Sequence, residues 1–167
     1  MTISMYQASV PVFDHQLGAM ANVLAKGAAY AEAHKIDPSI LIGSRLYPDM
    51  FALGRQVQIA ADAAKGGVAR LAGVDVPVWE DTETTFDQLK ERCARTQAFI
   101  AGFTPEQIDG SEEREVILTM RVGSMTFTGQ QYLLGFALPN FYFHASMTYA
   151  ILRHNGVEVG KRDFLGA

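Results

Sequence analysis

The segment ALPNFYFHASMTYAILRHNGV, residues 137 to 157, sets two of the chain's four histidines in an otherwise aromatic and aliphatic stretch. Pro139 suits a first helical position, and Gly156 suits the helix end, with Arg153 and His154 in the last turn where cations favour the dipole. At about 100° per residue, Asn140, His144, Met147, Ile151 and His154 fall on one stripe, flanked by Phe141, Ala145, Thr148 and Leu152. This surface is read as the inner face. Tyr142, Ser146, Tyr149 and Arg153 fall outside it. Buried without a partner, a polar group costs about 1–3 kcal/mol, so Asn140 and His144 need side-chain partners, water or a ligand. The imidazole can donate or accept a hydrogen bond, act as general acid or base near neutral pH, or ligate a metal. Asn140 offers an amide that orients a bound molecule. The rival account is a satisfied core pair that fixes helix register.

Three earlier helices must position that face. Tyr6, Val10, Phe13, Leu17, Met20 and Leu24 step by four and three, followed by Ala28 and Ala31, which predicts a long helix from the region of Ser9 and Pro11 to His34. After a loop through Asp37-Pro38 and Tyr47-Pro48-Asp49, the run from Met50 through Leu53, Val57, Ala61, Ala64 and Val68 to Leu71 predicts a second, stopped by Gly73. Arg55, Gln58, Asp62 and Lys65 form a stripe beside its apolar face. Charged stripes normally face water, yet a splayed bundle would let Gln58 and Asp62 meet His144. Thr85 to Gln88 has the form of a capping box and opens a third helix through Leu89, Cys93, Thr96 and Ile100. Cys93 lies on its inner stripe, as a packed thiol rather than a nucleophile. Thr104 to Gln107 caps a turn or two, and the alternation around Val116, Leu118 and Met120 before Val122-Gly123-Ser124 predicts a small hairpin.

Composition narrows the function classes. The chain's 167 residues fit one domain, 1–167, with 49% apolar and 19% charged residues. Fourteen scattered Lys and Arg against 18 acids, net −4, argue against a nucleic-acid partner. No charge interrupts Val122 to Leu152, but Gln130, Gln131, Pro139, Asn140 and His144 make it a buried segment rather than a membrane span. A single cysteine and an N-terminus without the pattern of a secretory signal predict a cytoplasmic protein. His15 and His34 fall off the apolar stripe, as surface histidines, and Lys161-Arg162-Asp163 reads as a solvated turn, with an anion clamp as the alternative. Phosphate loops, Cys-x-x-Cys pairs and nucleophile elbows are absent from the sequence.

Leu46-Tyr47-Pro48-Asp49-Met50, Arg55-Gln56-Val57-Gln58, Phe136 to Phe141 with His144, and Leu152 to Gly156 continuing through Gly160 to Gly166 carry a resemblance across nearly the whole chain. The chain resembles the DinB/YfiT-like four-helix bundles, and within them an uncharacterised bacterial and fungal family of unknown function. That resemblance implies the fold, and it implies for metal-binding members three histidines, one on the second helix and two spaced H-x-x-x-H on the last. Here Asn140 stands where the first of that pair would be, and the second helix has no histidine. His144, an amide and Asp62 make a poor set for a divalent transition metal, so a metal is disfavoured and no metal ligand is assigned.

The resulting expectation is an all-α, up-down-type four-helix bundle with a small β-hairpin before the last helix. Its interior polar pocket would bind a small molecule through Asn140 and His144, with Gln58 and Asp62 on the second wall and Met147 and Ile151 in apolar contact. One alternative is a metal-dependent hydrolase or thiol transferase with a degenerate site, in which His144 is the catalytic candidate. Another is a structural homodimer using Tyr142, Tyr149 and Phe164.

Overall fold

The computed structural model describes residues 3–120 and 123–167. Four long helices dominate: α1 (Val10–Ala33), α3 (Leu53–Ala72), α4 (Phe86–Ile100) and α7 (Leu138–His154). Short helices α2 (Pro38–Gly43), α5 (Pro105–Ile108), α6 (Gly129–Tyr132) and α8 (Lys161–Leu165) join or flank them. The hairpin pairs β1 (Glu115–Met120) with β2 (Gly123–Thr128), Glu115 opposite Thr128 and Leu118 opposite Met125. The turn expected at Val122 lies outside the described residues.

Neighbouring helices reveal their directions through individual contacts. Gly18 lies beside Gln97 and Gly27 beside Phe86, so α1 and α4 are antiparallel. Gln56 meets His144 and Gly67 faces Ala137, so α3 and α7 are antiparallel. Phe13 meets Phe141 edge-on at 5.0 Å, and Gly27 meets Leu152, which makes α1 and α7 parallel. The order is therefore up, down, down, up, with α3 and α4 pointing the same way. A chain that leaves the end of α3 must travel back along the bundle before it can start α4. Residues 74–85 make that return as a strap, and it is this strap that covers the charged stripe of α3.

Local chemistry sets the boundaries. Gly73 takes the left-handed conformation, φ 70°, and stops α3, where a side chain would be strained. Thr85 and Gln88 form the reciprocal capping box that starts α4. Ser9 precedes α1, but its hydroxyl donates to the Met5 carbonyl at 2.6 Å instead of capping the helix.

The last helix starts earlier than Pro139. From Gly129 the chain is already helical, and it passes through one π turn at Leu133–Ala137 before α7. Pro139 has no N–H to give to the carbonyl four residues back, and its ring crowds that carbonyl. The wider turn, with Leu138 N–H donating to the Leu133 carbonyl, brings the helix past the proline without a break.

Two expectations about surface residues also change. His154 is exposed, whereas Phe141, His144, Ala145, Thr148, Ile151 and Leu152 form the buried face, because the core is centred on the flank next to α1. Tyr149 is covered by Phe164, with ring centroids 5.9 Å apart, since the tail folds back onto the bundle. His15 Nε2 sits 2.7 Å from the Leu165 carbonyl oxygen, Gln16 donates to the Phe164 carbonyl, and Lys26 pairs with Asp163 at 2.6 Å. Lys161 and Arg162 are exposed as a solvated turn would have them, while Asp163 is tied down.

Candidate functional site

The seam between α3 and α7 carries His144 and Asn140 of the last helix. His144 is buried, and its Nδ1 lies 2.6 Å from Gln56 Oε1. Gln56 Nε2 donates to the Phe51 carbonyl at 3.1 Å, which turns its oxygen toward the imidazole. Nδ1 therefore carries the proton and donates it to Gln56, leaving Nε2 as the acceptor. Burial, and secondarily the nearby positive charge of Arg55, hold the imidazole below the ordinary histidine pKa of 6.5. It is the neutral form that packs there.

This has a consequence for stability. In the unfolded chain His144 takes up a proton as pH falls through about 6.5, while the folded form resists until lower pH. The unfolded state then binds more protons, so stability drops as pH falls from the ordinary value toward the folded one. Thermal melts at falling pH should show a decline below neutrality that is shallower in His144→Gln, which keeps a hydrogen-bonding side chain without the titration. Equal slopes in the two proteins would contradict it.

One turn back toward the start of α7, Asn140 is half-buried beside a cleft of about 220 Å³. Asp62 and Ile59 of α3, Arg70 near its end, and Tyr132 and Phe136 from the turns before α7 line it with Asn140. No side-chain hydrogen bond occupies the Asn140 amide among the described residues. Asp62 binds Lys65 at 2.7 Å and Arg92 at 3.0 Å, both through Oδ1. Arg70 donates to the Tyr132 hydroxyl at 3.0 Å.

The expected residues thus divide. Asn140 and Asp62 share the cleft, and Met147 is half-buried one turn beyond His144. His144 does not meet Gln58 or Asp62. Gln58 and Gln56 are two residues apart, about 200° around the helix, so only one of them can face α7. It is Gln56 that does; Gln58 donates to Glu83 at 3.0 Å on the opposite flank.

That flank is the largest departure from the sequence reading. Gln58 and Lys65 are buried, not solvated, because the strap lies over them. Arg92 is the centre of the arrangement: it donates to the Glu80 carbonyl and Glu83, and it pairs with Asp62 and Asp81 at 3.0 Å each. Arg55 pairs with Asp81. Trp79 lies within cation–π distance of both Lys65, 4.3 Å, and Arg95, 4.2 Å. The signal for Arg92 was present in its spacing, three after Leu89 and four before Thr96, which places it at the edge of the inner stripe.

Two other clefts compete for attention. One, about 240 Å³, is lined by Trp79, Glu83, Arg92 and Arg95. Its main cation is already consumed by three carboxylates. The other, about 610 Å³, is a broad groove between Tyr30, His34 and Gly156. There Lys26 is paired with Asp163, and His34 Nδ1 is bonded to the Tyr30 carbonyl. The α3/α7 cleft is smaller, but it holds the Asn140 amide, which has no side-chain hydrogen bond among the described residues.

The donors around Asn140 do not fit a transition metal. The amide is a weak ligand, His144 is not among the residues lining the cleft, and one Asp62 oxygen already holds two cations. Among the described residues no group of three or more His, Cys, Asp or Glu side chains could hold a metal ion. Cys93 is buried, and burial pushes its thiol up to about 12, so it stays protonated. No helix among the described residues is long and apolar enough to cross a membrane.

Four long helices ordered up, down, down, up, with a hairpin before the last and a polar α3/α7 seam, define a DinB-like helical bundle. The chain belongs to the family described as Domain of unknown function (DUF1993), which matches residues 5–165. It is similar to a DinB family member protein from Shewanella denitrificans, whose crystal structure is 40% identical, covers 97% of this chain and 92% of its own, and gives a TM-score of 0.89. Among curated proteins none matches the chain.

Proposed function

We propose that the protein is a cytoplasmic small-molecule-binding bundle whose site is the α3/α7 cleft. Asn140 and Asp62 contact the ligand there. His144 and Met147 continue the same seam, His144 fixing Gln56 and the helix spacing, and Gln58 holds the strap behind Asp62. The observation that carries this reading is the Asn140 amide, half-buried beside a cleft of about 220 Å³ and without a side-chain partner among the described residues. The unpaired Cys93 supports a reducing compartment.

A thermal-shift screen across chemical classes tests it. One class should raise the melting temperature reproducibly, by about 2.7 kcal/mol of added stability at a hundredfold excess over Kd, and Asn140→Leu should abolish the effect. Stabilisation unchanged in Asn140→Leu, or found for no class, would remove the site.

A homodimer is a second reading, favoured by Phe51 and Phe143. They are 53% and 52% exposed, and they flank the Gln56–His144 pair. Light scattering should give twice the 18.3 kDa protomer mass, with Phe143→Glu returning the protomer. A wild-type protomer at all concentrations would overturn it.

A further inference from the structure

Arg70 lies on α3 two turns beyond Asp62 and lines the cleft near Tyr132 and Phe136. Its Nη1 donates to Tyr132, and the guanidinium carbon is 5.8 Å from that ring's centroid. No carboxylate among the described residues forms an ion pair with it, whereas Asp62, the acid in the same cleft, carries two cations on one oxygen. The positive end of the cleft is thus open and the negative end is neutralised.

The remaining groups point the same way. Tyr132 Oη accepts from Arg70 and is left with its own proton to donate. Asn140 supplies an amide N–H₂, and Ile59, Leu118 and Phe136 form an apolar wall. A planar guanidinium matches a carboxylate through two parallel hydrogen bonds. A dianion such as phosphate would need a second free cation. A cation would find Asp62 already occupied.

We propose that the α3/α7 cleft takes a small organic carboxylate, its charge on Arg70 and Tyr132 and its apolar body against Ile59, Leu118 and Phe136. This rests on the cleft being the binding site.

Titration calorimetry of the full chain with sodium salts from acetate to benzoate tests it, with the matching primary amides and inorganic phosphate as comparisons. At least one carboxylate should bind about tenfold or more tightly than its amide, the size expected for hydrogen bonds to a charged group. Arg70→Gln should erase that preference, and Arg70→Lys should keep only part of it, with circular dichroism confirming that both fold. Equal binding of acid and amide, with both lost in Asn140→Leu, would overturn the carboxylate while leaving the cleft as a site. Tighter binding of phosphate would also overturn it. Carboxylate binding untouched by Arg70→Gln would place the anion elsewhere, and binding of no carboxylate would overturn the proposal outright.

Discussion

Arg92→Met should lower stability by about 2 kcal/mol, which for a chain of this length is a fall of roughly 4–8 °C in Tm. Removing one member of a buried ion pair usually costs about 3–5 kcal/mol, because the partner charge is stranded. Two features reduce that here. Each acid keeps a second partner, Asp62 with Lys65, Asp81 with Arg55 and Glu83 with Gln58, and Asp62 is 40% exposed. The substitution also removes a buried Arg92 Nε–H that has no acceptor. What remains is the loss of a side chain that ties α4, α3 and the strap together through ion pairs. Limited proteolysis should then cut between Gly73 and Thr85, and Arg92→Lys should fall between the two proteins, since an ammonium cannot span the same acceptors. An unchanged melt with an uncut strap would show that Trp79 and the Arg55 and Gln58 contacts hold the strap without Arg92.

Gly129→Ala should cost about 3 kcal/mol or more, at the upper end of what overpacking usually does. A Cβ at this buried position would fall inside van der Waals distance of the Ser111 carbonyl oxygen, with Leu71 Cδ2 next to it at 3.4 Å. The added Cβ and the Ser111 carbonyl are both fixed by backbone, so no rotamer relieves their clash. Relief would have to part the start of α6 from residues 111 and 112, breaking the Gln130 N–H to Glu112 carbonyl bond of 2.9 Å. Gly135 is the control, because open space surrounds its added Cβ, and Gly135→Ala should lie within about 1 kcal/mol of wild type. Melts of both variants check the pair; a Gly129→Ala protein as stable as Gly135→Ala would refute the steric claim.

Much of this fold can be read along the chain because short-range chemistry sets it. The stripe from Phe13 to Leu24, the Thr85–Gln88 capping box and the left-handed Gly73 each act within a few residues, so the sequence contains the whole cause. The strap is different in kind. Its acids Asp81 and Glu83 meet Arg55, Gln58 and Arg92 only because α3 and α4 run the same way, and helical direction is a property of the assembled bundle. A charged stripe next to a returning chain looks, in sequence, the same as one next to water.

The site divides along the same line. The four-residue spacing of Asn140 and His144 puts both on one face of the last helix, but which of them lines the cleft, and the choice between Gln56 and Gln58, depend on the rotation of a second helix. Tyr132 is not legible as a site residue because the turns before α7 read as non-helical ahead of Pro139, and without it Arg70 reads as one more exposed charge near the end of α3. The π turn that follows Tyr132 and carries Phe136 to the cleft is a response to that proline, and a proline ordinarily signals the start of a helix, not its middle.

The most direct measurement is an amide-resolved NMR titration of the wild-type protein with the compound that stabilises it best. Shift changes should concentrate at Ile59, Asp62, Arg70, Tyr132 and Asn140, the two walls of the α3/α7 cleft. Changes centred instead on Tyr30, His34 and Gly156, or on Trp79 and Arg95, would contradict the assignment of the site.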